Sequence, residues 1–130
     1  MAYLLDTNAV VAVLKDADSP VGQRLRREAP GDVFISSIVL HELFYGAFKS
    51  ARVERNLAVV ERLRFGVLDF SAEDARAAGM LRAALAAKGT PIGPYDVLIA
   101  GQALARGLVL VTRNSGEFER VFGLRVESWI

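Results

Sequence analysis

Four acidic residues of the chain stand out by context rather than by type: Asp6, Glu42, Asp96 and Glu117. Asp6 ends a short apolar run, Tyr3 to Leu5, and Glu42 sits early in a helical stretch. Asp96 falls in the first turn of a helix that follows a glycine-containing loop, and Glu117 lies just past the strongest apolar run, with Thr112 and Asn114 between. Carboxylates drawn together repel one another, and burying them unpaired is costly. A divalent cation removes both problems. The sequence has no cysteine, which excludes thiolate zinc, and an all-oxygen donor set points to magnesium or manganese. Such a site supports phosphodiester hydrolysis. One cation acidifies and orients a water, and the same or a second cation stabilises charge on the phosphorane and leaving oxygens.

Taken singly, each residue has a plainer reading. Asp6 can cap the following helix, sharing the turn with Thr7 and Asn8, and Glu42, among Leu40, Leu43 and Phe44, can be an amphipathic boundary residue. Asp96 can favour a helix N-terminus by charge–dipole attraction, and Glu117 can be simply solvated. Their joint placement decides between the readings. His41 is the only histidine, so no histidine-pair acid–base scheme exists, and adjacent helical positions do not share a face with Glu42. Ser36 and Ser37 lack a nucleophile elbow around them. The stretch Gly89-Thr90-Pro91-Ile92-Gly93 reads as a bend and matches no nucleotide-binding loop.

The elements that must position these groups follow from periodicity and punctuation. Tyr3 to Leu5 and Val33 to Ile35 are short buried strands, Gly66 to Phe70 a third, Leu108 to Val111 the most convincing, and Arg125 to Trp129 a last edge strand. Helical segments run over Ala9 to Leu14 and Pro20 to Ala29, with Pro20 suited to a first turn. Pro30-Gly31-Asp32 is a turn, and Ser36 or Ser37 caps the helix that bears Glu42. Arg52 to Arg64 carries Val53, Leu57, Val60 and Leu63 on one face. Ser71 with Asp74 makes a capping-box start to an alanine-rich helix ending near Lys88, and a further helix spans Pro94 to Gly107. Helices separate every pair of strands except the last, where a loop with a short turn intervenes. The pattern predicts a three-layer α/β/α sandwich around a central, mainly parallel sheet, with residues 1–130 as one domain. In open parallel sheets ligands gather beyond the carboxyl ends of the strands. Asp6, Thr112 and Asn114 sit at such ends, and Glu42 and Asp96 near helix starts that face the same edge.

Bulk properties bound the function. With 130 residues, 52% of them apolar and 24% charged, the chain has material for a core, and disorder is not expected. Leu4-Leu5 meets Asp6 at once, which speaks against a signal peptide, and the apolar stretches are too short to cross a bilayer. The absence of cysteine fits a reducing cytoplasm. A net charge of +1 gives no bulk attraction for nucleic acid. An RNA substrate would need local basic patches, for which Arg24, Arg26 and Arg27, then Lys49, Arg52 and Arg55, are the candidates, or bound metal.

The chain resembles the PIN-domain family, and within it the VapC-like toxins of toxin–antitoxin pairs. Leu4-Leu5-Asp6-Thr7-Asn8 is similar to the family's opening motif, and Ile35-Ser36-Ser37-Ile38 with Glu42-Leu43-Phe44-Tyr45-Gly46 to its second. Tyr95-Asp96-Val97-Leu98-Ile99-Ala100 resembles the third, Leu110-Val111-Thr112-Arg113-Asn114 with Glu117-Phe118 the fourth, and Gly123 to Trp129 the common tail. The resemblance implies Asp6 and Asp96 as ligands of Mg2+ (or Mn2+), and Asp6, Glu42, Asp96 and Asn114 as the catalytic set. Thr7, Asn8, Thr112 and Glu117 become orienting residues. Many members have an acidic residue where this chain has Asn114; others pair asparagine there with a carboxylate at the position of Glu117. The departure removes one negative charge and bears on a two-metal scheme. The resemblance further implies an endoribonuclease acting on structured RNA such as transfer or ribosomal RNA, a homodimer, and a VapB-like antitoxin that forms a heterotetramer or larger assembly with it. Two other readings fit the same residues: a PIN-like nuclease outside any toxin pair, and a non-catalytic interaction module.

Overall fold

The structure, a computed structural model, describes residues 1–129. Five strands form one sheet in the order β3-β2-β1-β4-β5. They are β1 (Tyr3–Leu5), β2 (Val33–Ser36), β3 (Gly66–Leu68), β4 (Val109–Val111) and β5 (Val126–Glu127). Every pairing is parallel: Leu4 lies opposite Phe34 on one side and Leu110 on the other, Ile35 opposite Val67, and Val111 opposite Glu127. The expected mainly parallel sheet is therefore wholly parallel, and helices cover it as an α/β/α sandwich. Leu4, Leu5, Val109, Leu110 and Val111 are buried without alternation, as strands covered on both faces must be.

The helices are α1 (Thr7–Lys15), α2 (Pro20–Arg27), α3 (Ser37–Lys49), α4 (Val53–Glu61), α5 (Ala72–Ala87), α6 (Pro94–Arg106) and α7 (Ser115–Phe118). Their starts are fixed by local chemistry. Ser19 caps α2 through the Gly22 N–H at 3.2 Å, and Ser36 caps α3 through the Ile38 N–H at 3.0 Å. At α5 the expected capping box is complete. Asp74 N–H donates to Ser71 Oγ at 3.2 Å, and Ser71 N–H donates to Asp74 Oδ2 at 2.8 Å. Gly107 ends α6 with φ of 65°, a left-handed conformation that glycine adopts without penalty.

Several boundaries differ from expectation, each for a visible reason. Helix α2 stops at Arg27 rather than Ala29, because the residue before Pro30 is forced to extended geometry and Ala29 takes ψ of 132°. The turn at Pro30–Asp32 is a 3-10 turn. Helix α4 ends at Glu61, where the Arg62 N–H is shared among the carbonyls of Ala58, Val59 and Val60. Strand β3 ends at Leu68, and beyond it the Phe70 N–H leaves the ladder for Ser37 Oγ at 3.1 Å. The four-residue helix α7 occupies the expected loop between β4 and β5. Strand β5 keeps only Val126–Glu127, and Trp129 packs edge-on to Tyr3 with ring centroids 5.0 Å apart.

Three contacts hold α6, and hence Asp96, in place. Gly101 abuts α5 so closely that a Cβ there would lie 2.5 Å from Ala78 Cα. Toward its other end, Arg106 clamps the buried Asp74 at 2.9 Å, and Gln102 Nε2 donates to Asp74 Oδ2 at 3.0 Å. Burial alone would push the Asp74 carboxyl up, but Arg106 and Ser71 outweigh it and hold the group below its ordinary value.

Candidate active site

The chain leaves β1 toward β2 and returns on the other side of β1 as β4. The crevice beyond the carboxyl ends of β1 and β4 is therefore the switch point of the sheet, where such folds gather ligands. Asp6 stands at its mouth. Its N–H donates to Val111 O at 3.0 Å, continuing the β1–β4 pairing up to the carboxylate. Its Oδ1 accepts the Ala9 N–H at 2.8 Å, so Asp6 does cap α1, and it does so while buried at 3% exposure. Burial raises its pKa; the Thr112 hydroxyl and the Ala9 N–H partly offset this, and the charge of Glu42 adds to the rise.

The other carboxylates arrive from three elements. Glu42, on α3, accepts a 2.9 Å hydrogen bond from the Thr7 hydroxyl on α1, a contact bridging 35 positions of sequence. Glu117, on α7, accepts the Gly93 N–H at 3.2 Å and the Asn114 amide. Thr112 receives the Asn114 N–H at 3.0 Å and so folds the chain after β4 back toward the crevice. Asp96 lies among them in the first turn of α6. Burial, then the charges of Glu117, Asp6 and Glu42, push its pKa up from 3.8 to about 6. No cation pairs with any of the four among the described residues.

The structure thus brings Asp6, Glu42, Asp96 and Glu117 to one crevice, with Thr7, Thr112 and Asn114 bonded to them or to each other. Asn8 is exposed and makes no side-chain hydrogen bond among the described residues. His41 is exposed beside Glu42, its ring 5.5 Å from that of Tyr95, a peripheral place as expected. Gly93 was legible only as part of a bend, yet it is built into the site. Its N–H holds Glu117, and a Cβ there would lie 3.0 Å from Asp96 Oδ2. The one sequence signal, a glycine directly before a helix-starting proline, is shared with ordinary helix caps.

Among the described residues no three acidic or imidazole side chains form a ready-made metal cage. The donor set still suits a magnesium-like ion, which keeps several waters and uses one or two carboxylates with substrate phosphate rather than an all-protein cage. Mutually repelling carboxylates without a cation partner, one buried (Asp6) and three half-buried, are the groups such an ion relieves. Fold and crevice together define an α/β/α protein with an acidic crevice at the switch point of a parallel sheet.

Comparison with known proteins agrees and narrows this class. The PIN domain profile matches residues 3–123. The tRNA(fMet)-specific endonuclease VapC of Shigella flexneri is 47% identical over 99% of this chain and 98% of its own length. The ribonuclease VapC2 of Haemophilus influenzae is 42% identical over 100% of this chain and 99% of its own. Among solved structures, DNA-bound VapBC from Salmonella typhimurium superposes with a TM-score of 0.95 at 48% identity, covering 100% of this chain and 99% of that one. The chain belongs to the PIN-domain family, among its VapC-like ribonuclease toxins.

Proposed function

We propose that this protein is a metal-dependent endoribonuclease, the toxin of a VapBC-type pair, which hydrolyses phosphodiester bonds in structured RNA of the transfer or ribosomal class. The observation that carries the reading is the convergence of four uncompensated carboxylates on the β1–β4 switch point, with Asp96 raised to about 6 by burial and the other three. Asp6 and Asp96 are the groups to hold Mg2+ or Mn2+. When bound, the ion supplies an acidified water and charge stabilisation at the phosphate. The chain's own residues do the positioning. Asp6 is immobilised by the Ala9 N–H, Glu42 by Thr7, and Glu117 by Gly93 and Asn114. In this reading Glu42 and Glu117 accept a proton from the attacking water or orient it, and the Asn114 amide holds Glu117.

The choice of RNA is supported by relatives named as tRNA(fMet)-specific endonucleases in Shigella flexneri and Salmonella typhimurium. A VapB-like antitoxin is supported by the VapBC complexes of Salmonella typhimurium and Rickettsia felis, both described as bound to DNA, and the reading includes assembly as a homodimer within such a complex. We place the activity in the cytoplasm, where such RNA resides, and in residues 1–130 as one nuclease domain.

Purified, antitoxin-free protein incubated with total cellular RNA and magnesium or manganese should release discrete fragments, and EDTA should abolish them. Attack by water needs no ribose 2′-hydroxyl, so the fragments should carry no 2′,3′-cyclic phosphate. Cyclic phosphate ends, or cleavage undiminished by EDTA, would contradict the mechanism.

A further inference from the structure

The acidic crevice repels the backbone it must cut, and a net charge of +1 offers no general attraction. Of the two basic runs that stand out in the sequence, Arg24, Arg26 and Lys49 are engaged elsewhere. Arg24 is spent on Glu28 at 2.8 Å and on Glu127, and it lies over the Trp129 ring at 4.9 Å. Arg26 is spent on Asp18 and the Ala17 carbonyl, and Lys49 lies over the Tyr45 ring. Three other cations are placed differently. Lys15 and Arg55 line a groove of about 510 Å³ whose wall also includes Thr7 and Glu42 of the site, together with apolar side chains such as Val11, Leu43 and Val59. Lys15 also borders a second depression, of about 240 Å³, which Arg113 lines from just beyond Thr112. All three are exposed. None makes an ion pair or side-chain hydrogen bond among the described residues. They come from the last turn of α1, from α4 and from the chain after β4.

We infer that Arg55, Lys15 and Arg113 form a phosphate-binding track that runs past Thr7 and Glu42 and holds the RNA backbone across the crevice. The inference rests on the ribonuclease reading for the identity of the strand, and on charge complementarity and continuity with the site for the track itself. Free cations beside uncompensated carboxylates suit a ligand that is anionic along its length and cut at one point. These residues position substrate and take no part in the chemistry.

The test uses bulk transfer RNA as the probe and the triple variant Lys15→Ala, Arg55→Ala, Arg113→Ala, each single variant, and Arg26→Ala as the control. Binding is read by fluorescence anisotropy at several salt concentrations, on an Asp96→Asn background so that the probe survives. Each lost contact should flatten the dependence of log Kd on log salt by about 0.7 to 0.9. The triple variant on the active background should raise KM roughly tenfold with kcat little changed. Lys15→Arg should restore most of the single-site loss, and the control should behave as wild type. A triple variant with wild-type Kd, salt slope and KM overturns the track while its cleavage leaves the ribonuclease reading intact. The flattened slope in a protein that cuts no RNA supports the track and overturns the reading of the carboxylates. If the variants keep RNA binding and lose only an acidic protein partner, the track is a protein-docking surface and the inference is wrong.

Discussion

Asp96 is the residue at which burial and repulsion meet, and its titration has a definite sign. Its folded pKa, about 6, lies above the ordinary 3.8. Between those values the folded chain holds a proton that the unfolded chain has released, so its contribution to stability falls as pH rises through the window and stays reduced above it. In EDTA, Asp96→Asn should therefore gain on wild type as pH rises from about 4 to about 6, with a constant gap beyond; urea unfolding at each pH measures it, and a pH-independent gap would contradict the assignment. Gly93 is the companion case. A methyl group 3.0 Å from Asp96 Oδ2 must move the carboxylate, so Gly93→Ala should lower kcat by about tenfold to a hundredfold while the thermal midpoint barely changes. A wild-type kcat would show that Asp96 tolerates displacement. The contrast between these two residues shows where sequence reading stops. An aspartate in a first helical turn after a glycine loop invites a functional reading by its type. A glycine whose value lies in an absent Cβ beside a carboxylate 3 positions later has no such signal until distances are known.

At the scale of elements, the site depends on α6 being held at a fixed height against α5. Gly101 permits the close approach at Ala78, and the Arg106–Asp74 pair anchors the far end. Replacing Gly101 by valine forces side-chain atoms into the backbone of α5. It should destabilise the fold by about 1–3 kcal/mol or more and lower cleavage through the displacement of Asp96; urea titration with a parallel activity assay reads both. Unchanged stability would mean that the two helices can part freely. The strands and most helix starts were legible because their determinants are local: continuous apolar runs for β1 and β4, Pro20 in the first turn of α2, Ser71 and Asp74 at α5. The strand ends at β3 and β5 were not, because they are set by tertiary partners, the Ser37 hydroxyl for Phe70 and the Tyr3 ring for Trp129. Helix α7 was missed because four residues give no periodicity to read.

At the scale of the whole molecule, the strand order explains why the motifs converge at all. Placing β1 between β2 and β4 puts Asp6 beside the chain that follows Thr112, and it turns α3 and α6 so that Glu42 and Asp96 reach the same crevice. The sequence suggested a common edge from alternation of strands and helices; the switch point itself required the order of the strands, which depends on long-range pairing. The charge distribution belongs to this scale as well. Nearly neutral overall, the molecule keeps uncompensated carboxylates in the crevice and free cations on the track beside it, while the conspicuous arginine run of α2 is largely paired. The central claim is that Asp6 and Asp96 together make the crevice a metal-dependent RNA-cutting site. The most direct measurement is the single-turnover rate of transfer RNA cleavage across a magnesium titration, for wild type and for folded Asp6→Asn and Asp96→Asn. The account predicts a rate that saturates with magnesium in wild type and falls by at least about a hundredfold in both variants. Equal rates in wild type and the variants, or a wild-type rate indifferent to magnesium, would contradict it.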